Sequence, residues 1–189
     1  TEALSRPGIQ YGTSLFYPAT VMGSHVSATP NHQTGNITPI KFRFDMACAG
    51  RLGMELQPKQ MNAEEKAFAR KAIESYKGYR DIVMEGDLYR IGTPYDDTGY
   101  YGVMYVSKDK KKAVLFTYCT LYQSRTLVPK YRLYGLDAQT RYKIREQNVA
   151  QKRFWFDGGT FTGEYLNHAG INPNLNKIYD SAVFVLEAE

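Results

Sequence analysis

The groups in this 189-residue chain that bear on chemistry are densest in "MGSHVSATPNHQTG", residues 22–35. There a short apolar run ends in a loop holding Asn31, His32, Gln33 and Gly35, with His25 just before it. Amide and imidazole side chains both donate and accept, so such a loop suits a polar ligand. The run 21–28 reads as a strand, and the loop leaves its carboxyl end, where ligand-facing groups gather in α/β sheets. Asn31, His32 and Gln33 are therefore the candidate substrate-binding rim. Taken singly, each reads first as a cap or tie between the loop and the next helix; it is the loop as a whole that reads as close to a site. His25, inside the strand run, reads as a satisfied core histidine.

The remaining groups do not complete a catalytic set. His168 is far away in sequence, and no histidine pair has the helical spacing, or the neighbouring thiols and carboxylates, of a zinc site. No metal and no cofactor is expected. Asp96 and Asp97 are adjacent in a turn, and adjacent loop residues rarely converge on one ligand. Asp45 falls on a helix, where an ion pair with a neighbouring turn is expected. Glu55, in a second strand run, is the carboxylate best placed to approach the site. GxSxG, Walker and GxGxxG patterns are absent. The residues describe a ligand-facing loop and assign no catalytic residue.

The elements that must position these groups follow from periodicity. After the strand 21–28, Thr38 reads as an N-cap with Pro39 at N1. The helix runs to Gly50, with Ile40, Phe44, Ala47 and Cys48 on one face. A strand follows at 51–58, closed by Pro58. Residues 62–86 form the clearest helix: Asn62 and Glu65 make a capping box, and Phe68, Ala72, Tyr76, Tyr79 and Val83 form a stripe. Gly86 reads as its C′ residue. From Asp87 the pattern changes to short β-branched and aromatic runs: "DLYRIG", "YGVMYVS", "AVLFTYC", "KYRLYGL", "TRYKIRE", "FDGGTFTGEYLNHAG" and "DSAVFVLEA". Their alternation suggests an antiparallel sheet with one wet face, arranged as a sandwich. The expected fold class is α/β followed by all-β, with domains at 1–86 and 87–189. Two parallel strands cannot stand alone, so the α/β part is expected to be completed by residues outside this chain. The opening "TEALSRPGIQYG", without Met or a leader pattern, points the same way.

Composition excludes several classes. A net charge of +5 is modest and its cations are scattered. The one run, "KDKKK" at 108–112, lies between two strand-like runs and reads as a hairpin turn, so no nucleic-acid partner is expected. No apolar stretch approaches the roughly 18 residues of a membrane helix. Cys48 and Cys119 lack CxxC spacing and read as two buried thiols. Sixteen tyrosines and nine phenylalanines fit a strand-rich chain.

The run "IQYGTSLFYPATVMGSHVSATPNHQTG", with "MELQP", "YKGYRDIVMEGDLYRI" and "YRLYGLD", closely resembles family-36 glycoside hydrolases, the α-galactosidases or melibiases. The resemblance implies an N-terminal β-sandwich, a central (β/α)8 barrel and a C-terminal antiparallel β-sandwich. This chain would be the last quarter of the barrel plus the C-terminal sandwich. Residues 21–28 and 51–58 would be barrel strands seven and eight, and 38–50 and 62–86 the helices that follow them. The implied activity is retaining hydrolysis of terminal α-galactosyl residues of oligosaccharides. Its two catalytic aspartates lie on earlier strands, upstream of Thr1, so the chain alone is expected to be inactive. One local departure is "RPG" at 6–8, where a more helical continuation is the family pattern. The implied partners are α-galactoside oligosaccharides and the upstream part of the parent chain; exposed strand edges and an apolar helix face lead to the expectation that the chain associates with a second copy of itself or with other chains, and a cytoplasmic location is expected. The alternative is a non-catalytic module whose sandwich binds carbohydrate or buttresses a partner domain. A galactosyl transferase of the raffinose-synthase type shares the barrel and is the weaker third reading.

Overall fold

The computed structural model describes residues 1–122 and 127–189. Its first element, α1 (Arg6–Ser14), opens on "RPG". Pro7 sits in the first turn, where its missing N–H has no intrahelical partner to lose, so it starts the helix and does not interrupt it. β1 (Gly23–Ser27) and β2 (Arg51–Glu55) follow, trimmed relative to the sequence pattern by 3₁₀ turns at Ala19–Val21 and Pro58–Gln60. They pair in parallel, with Gly23 opposite Arg51 and Ser27 opposite Glu55. The crossover between them carries α2 (Ile40–Ala47).

Pro39, not Thr38, occupies the N-cap of α2, and no side chain caps it. Thr38 is held by other means: its N–H donates to Thr29 Oγ1 (3.1 Å) and its carbonyl accepts from Arg43 Nε (3.1 Å). Every residue from Phe42 to Ala47 is buried, so α2 is enclosed all round and not one-faced. α3 (Ala63–Glu85) has the expected capping box: Glu65 N–H donates to Asn62 Oδ1 at 2.9 Å, and Asn62 N–H to Glu65 Oε2 at 3.2 Å. Its buried stripe is Ala69, Ala72, Tyr76, Tyr79, Ile82 and Val83. Gly86 ends it for a reason other than handedness. Its φ is −71°, but an added Cβ would lie 2.4 Å from the Ile82 carbonyl oxygen and 2.8 Å from that of Val106.

The chain then builds one antiparallel sheet: β3 (Asp87–Gly92), β4 (Tyr100–Val106), β5 (Lys112–Cys119), β6 (Arg141–Gln147), β7 (Thr160–Thr162) and β8 (Asp180–Ala188), in the order β3-β4-β5-β8-β6-β7. Six antiparallel strands fit a β-sandwich, with two differences from the sequence pattern. "KYRLYGL" makes only an isolated bridge, Tyr131 to Ile171, and "FDGGTFTGEYLNHAG" divides into β7 and a short helix, α4 (Gly163–His168). "KDKKK" lies in the β4–β5 turn and runs into β5, as expected. The sheet's central strands have no wet face. Tyr101, Tyr105, Phe116, Tyr118 and Val183 pack with α2 and α3, while Met104, Leu115, Phe184 and Leu186 pack under Leu133, Phe156, Leu166 and Leu175. Alternation here separates two buried sides. Both cysteines are buried free thiols.

Sheet and helices meet through tyrosine hydroxyls. The last carbonyls of a helix have no intrahelical donor. At the end of α2 and the bend into β2, Tyr118 OH donates to the Asp45 carbonyl (3.0 Å), Tyr105 OH to that of Ala49 (2.8 Å) and Tyr76 OH to that of Gly50 (2.8 Å). The Asp45 side chain, wholly buried, adds Lys41 on the preceding turn, Ser181 Oγ at 2.7 Å and Asn148 Nδ2 at 2.7 Å. The course of β2 is thus set from the sheet and, through Tyr76, from α3.

Candidate functional site

Side chains alternate across β1 and β2. Val26 and Leu52 point into the core with α2 and α3. Gly23, His25, Ser27, Arg51, Gly53 and Glu55 share the opposite face; a Cβ on Gly53 would lie 3.6 Å from His25 Cβ. Among the described residues no further strand pairs with either. The polar face therefore lies away from α2 and α3.

The loop after β1 is a closed structure. Asn31 is buried, and its Oδ1 accepts from the N–H groups of Gln33 (2.9 Å) and Thr34 (3.1 Å). Its own N–H donates to the Asn36 carbonyl, and Gly35 N–H to the Asn31 carbonyl. Gly35 has φ +72°, a backbone state that glycine adopts without cost. The base of the loop is closed by Arg43. Nη1 donates to the Ser27 carbonyl at the end of β1 (2.9 Å), Nε to the Thr38 carbonyl, and Nη2 to Glu65 of the α3 capping box (3.0 Å). Burial holds the Arg43 pKa below its usual value, against the pull of Glu65. Of the three predicted rim residues, Asn31 is turned inward to shape the loop, while His32 and Gln33 are exposed at its tip.

His25 and Glu55 come together on the polar face, at the carboxyl end of β2. His25 Nε2 is ion-pair close to Glu55 Oε2, and Arg6 Nη2 lies 2.6 Å from His25 Nδ1. Arg6 is buried and also donates to Ser24 Oγ on the other face of β1 (3.4 Å). Arginine has no acceptor, so Nδ1 must accept and the ring proton sits on Nε2, facing the carboxylate. Burial, then the Arg6 charge, hold His25 below the ordinary imidazole range; Glu55 pulls the other way without prevailing. Glu55 itself is held below the usual carboxylate range, chiefly by His25. His25 is thus a hydrogen-bonded histidine as expected, but with 27% of its side chain exposed and a carboxylate partner. Asp45 pairs with a neighbouring turn as expected, and Asp96 closes its own turn by accepting from Thr98. Among the described residues no group of His, Cys, Asp and Glu could hold a metal ion, and no helix is long and apolar enough to cross a membrane.

Sequence reasoning passed over Arg6 and Arg43. The signal for Arg43 was present: a cation set between Phe42 and Phe44 in "FRF" must be paired to be buried. Arg6 offered none, since its partners lie on a strand 18 and 19 residues on.

Residues 1–86 match the Melibiase family model, and residues 100–186 the model of the glycosyl hydrolase family 36 C-terminal domain. The chain belongs to glycoside hydrolase family 36. It is 35% identical over its whole length to probable alpha-galactosidase G of Aspergillus terreus, and 37% identical to alpha-galactosidase 2 of Hypocrea jecorina, covering 25% and 24% of those proteins. The crystal structure of the family-36 α-galactosidase AgaA from Geobacillus stearothermophilus superposes with a TM-score of 0.89 at 33% identity, over all of this chain and 25% of that one. A variant of AgaA in complex with raffinose superposes at 0.88. This family-36 chain therefore spans about a quarter of the length of the glycoside hydrolases it matches.

Proposed function

We propose that this chain is the C-terminal part of a retaining α-galactosidase that hydrolyses terminal α-galactosyl residues of oligosaccharides such as raffinose. In this reading β1 and β2 are the last two strands of a (β/α)8 barrel, and the antiparallel sheet from residue 87 onward is a C-terminal domain that supports it. The observation that carries the reading is the parallel pairing of β1 with β2. Its polar face, bearing His25 and Glu55, lies opposite α2 and α3, as the interior of a barrel requires of the helices that follow its strands. His32 and Gln33 then rim the galactoside pocket, and Asn31 keeps their loop in shape. Retaining hydrolysis needs two carboxyl groups about 5–5.5 Å apart. Glu55 is the one carboxylate on that face of β1 and β2, so these two strands cannot supply the pair, which in this reading comes from other strands of the parent. The test is turnover of a nitrophenyl α-galactoside. The 189-residue chain should give none above buffer, and the parent chain that carries it should give nitrophenol and cleave raffinose. Turnover by the 189 residues alone would place the catalytic pair within them.

A second reading, a carbohydrate-binding module, has one observation in its favour. Trp155 is 71% exposed and meets Phe161 edge to face at 5.8 Å, with Tyr165 stacked beyond. Against it, eight of the sixteen tyrosines are buried, and three of those are spent on the end of α2 and the bend into β2. Titration with galactose or raffinose should leave Trp155 fluorescence unchanged; saturable quenching would favour the module.

A further inference from the structure

We propose that Arg6, His25 and Glu55 work as one positioning device for the α-galactoside site, effective only while His25 Nδ1 is free to accept; this rests on the function proposed above. One imidazole joins three elements. Arg6 of α1 donates to Nδ1 at 2.6 Å, β1 carries the ring, and Glu55 ends β2 against Nε2. The same chain segment is fastened at its other end, where Asn36 of the rim loop donates from Nδ2 to Glu2 Oε1 at 2.6 Å. Residues 2–6 thus lie between two ties, one to the rim loop and one to the carboxyl ends of the strands. The rim loop's own base is held by Arg43 on Ser27 and Thr38. Residues that hold a substrate-facing loop in register act on rate without touching substrate, because small displacements of reacting groups are costly.

The charged groups that face the ring are Arg6 from α1 and Glu55 from β2. Its neighbours on β1, Ser24 and Val26, carry no charge. When His25 takes a second proton, Nδ1–H confronts an arginine N–H and two cations meet. The Glu55 tie survives and the Arg6 tie breaks. Burial and Arg6 oppose that protonation, so the break falls in the acid range, below about 6.5.

The experiment uses the parent chain and raffinose, with kcat and KM followed against pH for wild type, His25→Ala and His25→Gln. Glutamine accepts through Oε1, donates through Nε2 and does not titrate. His25→Ala should lower kcat/KM by roughly 10- to 100-fold, mainly through kcat. His25→Gln should restore most of that loss and move the acid limb of the profile to lower pH. A wild-type profile in His25→Ala, or a wild-type acid limb in His25→Gln, would overturn the proposal. If His25→Ala does not fold, the acid limb of His25→Gln decides alone. A wild-type parent that leaves raffinose intact would remove the proposed function itself, and this device with it.

Discussion

The six-stranded sheet and the two-stranded pair obey different rules. The sheet's central strands are covered on both sides, and its strands recur within one continuous stretch of sequence. The pair is covered on one side only and owes its course to the sheet, through Tyr118, Tyr105 and the buried Asp45. The sheet finds cover for both of its sides within this chain, one of them from α2 and α3; the pair leans on the sheet and presents polar groups on its open side. In the function proposed above that open side is a wall of the active site, since side chains that face substrate cannot also be spent on a core.

Substitutions can break this contrast, beginning with the sheet. Arg153 bridges Glu146 on β6, whose side chain is wholly buried, and Asp180 on β8 (2.9 Å). Arg153→Leu strands a buried carboxylate and should cost about 3–5 kcal/mol in chemical denaturation. The junction comes next. Tyr118→Phe and Tyr105→Phe each leave a buried carbonyl without a donor, that of Asp45 at the end of α2 and that of Ala49 in the bend after it, and each should cost about 2 kcal/mol. Tyr105→Phe should loosen β2 while sparing β5 and β8. Asn62→Ala removes the α3 capping box for about 1 kcal/mol, read as a lower melting temperature. His32→Ala, on the loop tip, should change stability by less than about 0.5 kcal/mol, while raising the raffinose KM of the parent.

The pair should also be the acid-sensitive region. The folded pKa of His25 lies below its unfolded value, so the unfolded chain takes up the proton first. Its contribution is complete above about 6.5 and is lost as pH falls from there through the folded value. Glu55, also lowered, adds a loss that begins below about 4.5. The melting temperature of wild type should therefore fall more steeply below pH 6.5 than that of His25→Gln.

Local signals were legible in the sequence, and long-range ones were not. The α3 capping box, the "KDKKK" turn and the two parallel strand runs each depend on neighbours a few residues apart. The sheet's second buried side was not legible, because alternating large residues look alike whether the far side meets water or Leu133 and Phe156. Thr38 lost its cap role because Pro39 holds an extended backbone there and Thr29 and Arg43 already take its polar groups. At the site, the loop was legible by composition. The tie from Arg6 to His25 and the inward turn of Asn31 depend on packing that no spacing encodes.

The claim that β1 and β2 are two members of a larger closed sheet is tested most directly by native-state hydrogen exchange. In the 189-residue chain, amides of β5 and β8 should exchange only by global unfolding, and those of β1 and β2 much faster. In the parent chain, β1 and β2 should become as slow as β5 and β8. Equal protection of all four strands in the 189-residue chain would contradict the account, because the pair would then need nothing beyond what the chain already supplies.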